Sequence, residues 1–419
     1  MVVGTILGAA IFVQPSEISR LVPSTAGMLA TWLLAGLLTL CGALVCAELA
    51  AAFPQTGGVY VFLRETFGPA AGFLWGWAMF WSVHSGIIAA LAVVLARYAG
   101  YFTSLGDTAT RLVAIAAILL LSAVNYLGVR PGTTLQALLT LAKVVAVAVI
   151  LLLFFWLAPP AAPTAPTEMP SLRDFGLAIL AGLFAFGGWH MVTYAAGETR
   201  EPQRTIPRAL LLGTLVVTAC YVGLNYAYLR ALPLEKLVAS ERVAADAATA
   251  LLGPGAAGVI SLLVIVSAFS ALSGIVLAGP RVYFAMARDG LLFGCLGAVH
   301  PRFRTPHRAI LLQAVWASLL VLTGTYRELF TRVIYTEWLF FSLMAAGLVW
   351  LRRRREYAPG YRAPGYPLVP LLFAGVSLAI VTNQLAAEPR SSALGLLLLA
   401  AGLPVYLLWT RPRVRPGAL

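Results

Sequence analysis

Apolar residues run along the chain in long continuous stretches rather than in the one-sided or alternating patterns of soluble proteins. A bilayer core of about 30 Å needs roughly 20 apolar residues per helix, and twelve stretches approach that length. They cover residues 2–20, 27–53, 68–100, 112–128, 134–158, 174–197, 208–230, 257–286, 308–325, 330–350, 367–386 and 392–410. Because the alternation of membrane-barrel strands is missing, we predict an all-α integral membrane protein of about twelve transmembrane helices.

Composition supports this interpretation. Of the 419 residues, 60% are hydrophobic and 11% are charged, a balance that a soluble protein of this size could not bury. If the N-terminus is cytoplasmic, 18 of the 29 basic residues lie on the inner side, which is the asymmetry that orients membrane proteins. They are Arg64, Arg130, Arg200, Arg204, Arg208, Arg281, Arg288, Arg302, Arg304, Arg308, Arg352, Arg353, Arg354, Arg355, Arg362, Arg411, Arg413 and Arg415. We therefore expect a multi-pass protein of the cell membrane with cytoplasmic termini, and no nucleic-acid partner despite the net charge of +13.

A proline-rich segment divides the predicted helices. Residues 158–170 contain five prolines, which favour a semi-rigid linker over a helix. Five predicted helices precede it, and because five is odd, a second five-helix unit must cross the membrane in the opposite sense, as in the inverted repeats of transporters. We predict a core over residues 1–351, built from repeats 1–158 and 171–351, followed by two helices within residues 352–419.

Glycines interrupt the first helix of each predicted repeat. The first helix contains Gly4 and Gly8-Ala9-Ala10, and the sixth contains Gly182 and Gly187-Gly188. Glycine in a helix interior costs about 1 kcal/mol relative to alanine, and lipid penalises the backbone groups that an interruption frees. Close helix packing is one explanation for such small residues. Their corresponding places in the two repeats favour broken helices that use the freed groups to bind a ligand.

Six segments stand out as motifs: Gly4-Thr5-Ile6-Leu7-Gly8-Ala9-Ala10-Ile11-Phe12, Ala47-Glu48-Leu49, the segment Phe53 to Tyr60, the segment Phe184 to Trp189, the segment Glu198 to Ala209, and the segment Gly279 to Gly290. Together they resemble the motifs of the amino acid–polyamine–organocation superfamily, and most closely those of its L-type amino-acid transporter branch. The resemblance covers nearly the whole chain. Gly8-Ala9-Ala10 stands where the family usually has Gly-Ser-Gly, which leaves selectivity open. Only about seven residues precede Gly8, roughly 10 Å of helix, so we expect the true N-terminus upstream.

The interrupted helices predict a site for a free amino acid. A half-helix that begins near residue 11 directs N–H groups and the positive end of its dipole toward an α-carboxylate. Carbonyls near Ile6, Leu7, Phe184 and Ala185 are predicted to accept hydrogen bonds from the α-ammonium, and the resemblance implies the same arrangement. The predicted substrate-binding residues are Ile6, Gly8, Ala9, Ala10, Ile11, Phe184, Ala185, Phe186, Gly187 and Trp189. The resemblance favours Phe184 as the gate, whereas Phe186 and Trp189 have ordinary packing as an alternative.

Three further residues are predicted to act in coupling or gating. Lys143 lies in an apolar helix, where its charge would cost about 2.5–3.5 kcal/mol unless it snorkels to the surface. The resemblance places it beside the broken first helix, where sodium-coupled relatives hold a cation, and so implies sodium-independent transport. His84 is either a proton relay or a packed histidine, and His190 is expected to adjust the side-chain pocket. Glu48 and Glu198 are expected to be structural or gating residues.

Together these features predict a secondary transporter, either a permease or an exchanger, that moves amino acids by alternating access. Neutral L-amino acids are favoured because no acidic residue occurs in Phe184 to His190. A membrane sensor without transport and a carrier of polyamines or cationic amino acids are the alternatives. We find none of the sequence motifs of an intramembrane enzyme, and no cofactor or metal is expected. The predicted partners are the amino-acid substrate, the lipid bilayer and, as an open question, a coupled proton.

Overall fold

The computed structural model describes residues 1–158, 170–324 and 326–410, without the side chains of Ala9 and residues 326–334. Residues 159–169, which make up most of the predicted linker at 158–170, and the arginines at 411, 413 and 415 lie outside the described residues. Within the described ranges the elements are helices, and no strand occurs. The predicted all-α class is confirmed.

The first half of the chain begins with two short helices in place of one long helix. Val2–Ile6 (α1) is followed by a 3₁₀ turn at Ala9–Phe12 and by Gln14–Leu21 (α2). The remaining elements are Thr25–Ala52 (α3), the short Val59–Phe67 (α4), Pro69–Ala78 (α5) continued by His84–Ala99 (α6), Asp107–Tyr126 (α7) and Val129–Leu157 (α8).

The second half also begins with an interrupted helix, Leu172–Ala185 (α9), followed by a 3₁₀ segment at Trp189–Glu198. The later elements are Pro202–Ala231 (α10), Leu234–Ala239 (α11), Val243–Leu252 (α12), Ala256–Ala278 (α13), Pro280–Arg288 (α14), His307–Thr323 (α15), Tyr326–Leu351 (α16), Leu368–Ala387 (α17) and Pro389–Trp409 (α18). In the described part of the chain, nine helices are long and apolar enough to cross a membrane. The count of twelve and the inverted repeat stay predictions.

Helix α8 shows how the bundle meets lipid. Its exposed side chains include Leu138, Leu141 and Leu152, whereas Gln136 and Lys143 are buried. This distribution is the reverse of that in a soluble protein, because lipid accepts the apolar face and the polar groups must find partners inside the bundle. The outward leucines therefore fix which face of α8 points toward α1 and α13, against which it packs.

A π-helical turn joins α5 to α6. It spans Met79–Val83, and such a turn leaves carbonyls without their usual partners. Ser85 Oγ donates to the Phe80 carbonyl at 2.7 Å, and Trp316 Nε1 donates to the Trp81 carbonyl at 3.2 Å. These side chains satisfy backbone groups that lipid could not, so the irregular turn is tolerated at membrane depth.

Candidate functional site

The first interruption lies between α1 and the 3₁₀ turn. Leu7 ends α1 with non-helical dihedral angles, and Gly8 is extended at φ −104° and ψ −162°. The Gly8 N–H donates to the Ile6 carbonyl at 2.7 Å. A Cβ at Gly8 would lie 3.2 Å from the Cβ of Ala271, so a larger residue would press on α13. The first N–H groups of the following turn have no acceptor within it.

The second interruption lies between α9 and the 3₁₀ segment and touches the first. Gly188 has φ +93°, a left-handed conformation that favours glycine. A Cβ there would lie 3.3 Å from both the Cβ and the carbonyl oxygen of Thr5. Thr5 Oγ1 is 3.1 Å from the Gly188 carbonyl oxygen and within donating distance. The two broken helices are therefore in direct contact.

Tyr221 of α10 links carbonyls from both broken helices. Its hydroxyl oxygen lies 2.7 Å from the Ile6 carbonyl oxygen and 3.0 Å from that of Ala185. Two of the carbonyls predicted to face the α-ammonium thus already have a protein donor nearby. A carbonyl oxygen has two lone pairs, so each retains capacity for a second hydrogen bond. Tyr221 was not predicted from the sequence, because nothing in the sequence of α10 sets its phenol apart from packing aromatics.

Lys143 reaches the carbonyl end of α1. Its side chain is fully buried, and Nζ donates to the carbonyls of Gly4 at 2.5 Å and Leu7 at 2.6 Å. Ser267 Oγ of α13 donates to the same Leu7 carbonyl at 3.1 Å. The ammonium therefore lies among backbone oxygens left without helical donors by the interruption. The snorkelling alternative does not describe this conformation, in which Lys143 points into the bundle.

The two interruptions enclose a small cavity of about 30 Å³, room for roughly two water molecules. Six of the predicted substrate-binding residues line it, namely Ile6, Gly8, Ala10, Phe184, Ala185 and Gly187. Six lining residues were not predicted, namely Thr5, Ile87, Leu91, Gly188, Ala271 and Ile275. No acidic side chain occurs among the described residues that line the cavity.

The other predicted binding residues lie outside this lining. Ile11 is fully buried, and Phe186 packs edge-on against Tyr221 with ring centroids 4.9 Å apart. Trp189 packs against Phe341 at a centroid separation of 5.0 Å. The side chain of Ala9 lies outside the described residues. In this conformation Phe186 and Trp189 thus make packing contacts within the bundle.

The two predicted membrane histidines share one tyrosine. His84 Nε2 lies 3.2 Å from the Tyr194 hydroxyl, and His190 Nε2 lies 2.8 Å from the same oxygen. His84 Nδ1 is 3.3 Å from the Tyr283 hydroxyl. All four side chains are buried, and they come from three elements, α6, α14 and the 3₁₀ segment Trp189–Glu198. The structure therefore connects His84 and His190 rather than leaving each in a separate packing site.

Glu337 extends this group and was not predicted. Its Oε1 lies 3.4 Å from His190 Nε2, and its side chain is 2% exposed. The pair lacks hydrogen-bond alignment, so Oε1 has no hydrogen-bond partner in the described part of the chain. The signal was present in the sequence, because Glu337 is an acidic residue inside the predicted apolar stretch 330–350, where any ionisable group is a functional candidate.

Ion pairs hold several of the remaining motif residues. Arg281 Nε and Nη2 each lie 2.8 Å from a carboxylate oxygen of Glu198. Arg352 pairs with Glu48, which also accepts a hydrogen bond from the Ala363 N–H at 2.6 Å. Hydrogen bonding to Glu48 raises the pKa of Arg352. Glu48 thus joins α3 to the segment after α16, and Glu198 joins the end of the 3₁₀ segment to the first turn of α14.

Comparison with known proteins decides the family. Residues 1–405 match the family described as amino acid permease. The chain belongs to the amino acid permease family. The resemblance found in the motifs is thereby confirmed, and the chain is placed among amino-acid transporters.

The similar proteins cover almost the full length of this permease. The serine/threonine exchanger SteT of Bacillus subtilis is 36% identical over 410 residues, which are 97% of this chain and 94% of the relative. The large neutral amino acids transporter small subunit 2 of Homo sapiens is 31% identical, covering 97% of this chain and 78% of the relative. The human cystine/glutamate transporter is 28% identical, with 98% and 83% covered.

Proposed function

We propose that this permease carries neutral L-amino acids across the cytoplasmic membrane by alternating access and without sodium. The observation that supports the proposal best is the meeting of two broken helices at one cavity. Free N–H groups near Ala10 and Ile11 suit an α-carboxylate, and the carbonyls of Ile6 and Ala185 suit an α-ammonium. A free amino acid presents both charges on one carbon.

The cavity lining favours a neutral side chain. Its described members are apolar or small apart from Thr5, so a charged substrate side chain would be desolvated without a partner there. The names of two relatives agree with this preference, since one is a serine/threonine exchanger and another a transporter of large neutral amino acids. Polyamines and cationic amino acids are less well matched to this lining.

Substrate binding requires movement. A cavity of about 30 Å³ is too small for an amino acid, since it holds roughly two waters. Phe184 lines the cavity and is 7% exposed, which suits the proposed role of a gate between the site and one side of the membrane. We propose twelve transmembrane helices with cytoplasmic termini, and repeats over residues 1–158 and 171–351 that rock against each other.

Lys143 is proposed to take the place of a coupling cation. Its ammonium contacts the Gly4 and Leu7 carbonyls at 2.5 and 2.6 Å, where a cation bound by backbone oxygens would otherwise compensate their partial negative charge. A covalently attached charge cannot leave, so sodium is not needed at this position. Exchange and proton symport are both compatible with this arrangement.

The test is uptake by purified protein in liposomes. Labelled L-serine, L-leucine, L-arginine and L-glutamate are supplied outside, with or without the same unlabelled amino acid inside, in sodium and then in choline buffer. We expect uptake of L-serine or L-leucine in both buffers. Saturable binding without uptake would indicate a sensor, and preferential uptake of L-arginine would indicate a cationic carrier. Stimulation by internal amino acid would identify exchange.

The carboxylate site is tested by filling the cavity. Ala10→Leu adds three carbons to a lining residue that is 7% exposed, and we expect it to abolish uptake. Ala30→Leu makes the same change on the exposed face of α3 and should leave uptake unchanged. Equal uptake by Ala10→Leu and the parent protein would contradict the proposal that the substrate α-carboxylate binds near Ala10.

A further inference from the structure

Glu337 is a buried acid whose charge has no matching cation. Its side chain is 2% exposed, and among the described residues no arginine or lysine forms an ion pair with it. Lys143 instead contacts the Gly4 and Leu7 carbonyls, and Arg352 pairs with Glu48. A carboxylate without a partner at membrane depth is strongly disfavoured, so the packed conformation requires a proton on this group.

Among the described residues, His190 lies in direct contact with that acid. Its Nε2 lies 3.4 Å from Glu337 Oε1 and 2.8 Å from the Tyr194 hydroxyl, while its Nδ1 has no hydrogen-bond partner in the described ranges. A proton that moved from Oε1 to Nε2 would form an ion pair with zero net charge. A proton that left the pair for bulk water would leave one uncompensated negative charge.

The remaining ionisable groups on the helices around α16 have other contacts or are exposed. His84 lies against Tyr194 and Tyr283, and Cys46 lies against Thr193. Tyr60 and Arg64 bind Asp289. Tyr335 donates to the Ser392 carbonyl, Tyr406 packs against Phe73, and Arg390 is exposed. Within residues that the structure describes, these groups do not supply the positive charge that an ionised Glu337 would need.

The position of the pair connects it to the broken helix. His190 is two residues beyond Gly188, in the 3₁₀ segment that follows the cavity, while Glu337 belongs to α16. We propose that Glu337, packed against His190, is a proton-binding residue whose protonation permits the segment Trp189–Glu198 to close against α16. Deprotonation then requires the two elements to separate so that water can reach the carboxylate. The inference rests on the proposed transport function and adds a proton site to it.

The experiment measures exchange of labelled against unlabelled L-serine, or L-leucine if that is the better substrate, in liposomes. The pH is equal on both sides and is varied from mildly acidic to mildly alkaline. We expect the parent rate to fall several-fold toward alkaline pH, because an ionised Glu337 resists closure. Glu337→Gln keeps the size and neutrality of the protonated acid, so its rate should stay near the acidic-pH rate of the parent at every pH.

Glu356→Gln is the matched control, because it makes the same change at an exposed carboxyl just beyond α16 and should keep the parent pH profile. Infrared spectroscopy gives a readout independent of transport, since a protonated carboxyl absorbs apart from a carboxylate. The protonated band should disappear in Glu337→Gln and persist in Glu356→Gln. This comparison remains available if the Glu337 variant is poorly active.

Each contrary result has a distinct meaning. A flat pH profile in an active parent protein, or an unchanged profile in Glu337→Gln, overturns the proton site and leaves amino-acid transport intact. Selective loss of L-arginine uptake in Glu337→Gln with an unchanged profile would assign the acid to substrate recognition instead. Failure of the parent protein to exchange any amino acid would overturn the proposed function and this inference with it.

Discussion

Lys143 of α8 and Glu337 of α16 are both buried ionisable residues, yet their surroundings differ. Nζ of Lys143 has two carbonyl oxygens within 2.6 Å. Oε1 of Glu337 has only an unaligned histidine nitrogen at 3.4 Å, and no hydrogen-bond partner in the described part of the chain. A buried charge is stable only when it is paired and hydrogen-bonded. The comparison supports the two proposals, a fixed charge at Lys143 and an exchangeable proton at Glu337.

Within this comparison, the largest expected effect comes from removing the fixed charge. Lys143→Ala leaves the Gly4 and Leu7 carbonyls short of a donor, at a cost of about 1–3 kcal/mol. Uptake should fall by roughly five- to a hundredfold at 1.4 kcal/mol per decade. The other lysine of the chain, Lys236, is exposed, and Lys236→Ala should leave uptake unchanged. A fully active Lys143→Ala protein would contradict the proposal that Lys143 supplies a fixed charge.

Tyr221→Phe is expected to have the next largest effect. It removes the hydroxyl that lies between the Ile6 and Ala185 carbonyls, while both helix interruptions keep their backbone. Losing one neutral hydrogen bond costs about 1 kcal/mol, which corresponds to about a fivefold loss of uptake. Tyr226→Phe on the same helix is the control, since its ring packs against Phe155. Equal uptake by both variants would show that the Tyr221 hydroxyl is not needed.

Ser267→Ala tests which of its two donors, Ser267 or Lys143, the Leu7 carbonyl oxygen depends on. The Leu7 oxygen loses the Ser267 donor at 3.1 Å but keeps the Lys143 ammonium at 2.6 Å. Because the acceptor stays bonded, the cost should be about 0.5 kcal/mol, or about a twofold decrease in uptake. A loss as large as that in Lys143→Ala would mean that the hydroxyl, and not the ammonium, is the essential donor.

No effect is expected when sodium is replaced by choline or potassium. The Lys143 ammonium already occupies the carbonyl oxygens at the end of α1, so a second cation there would be repelled. Initial uptake rates in the three buffers should coincide. Strict dependence on sodium would contradict the role proposed for Lys143, whatever the phenotype of its variants.

The sequence was most informative where a pattern extends over many residues. Apolar stretches predicted the helices, and the glycines near residues 8 and 187 predicted both interruptions, because each signal is local. Partners across the bundle were not predictable in this way. Tyr221 and Ser267 look like ordinary helix residues, and only the fold brings their hydroxyls to the broken first helix. Glu337 differs, since its position in an apolar stretch was a visible signal that the interpretation overlooked.

The π-helical turn at Met79–Val83 has a consequence for how the chain length can vary. Such a turn contains one residue more than the regular helix it interrupts, so a single-residue deletion there would restore an ordinary helix without turning its two halves. A deletion between Pro69 and Ala78 would rotate everything beyond it by about 100° and carry His84 away from Tyr194. When related permeases are aligned with this chain, single-residue deletions in this helix should therefore fall at Met79–Val83.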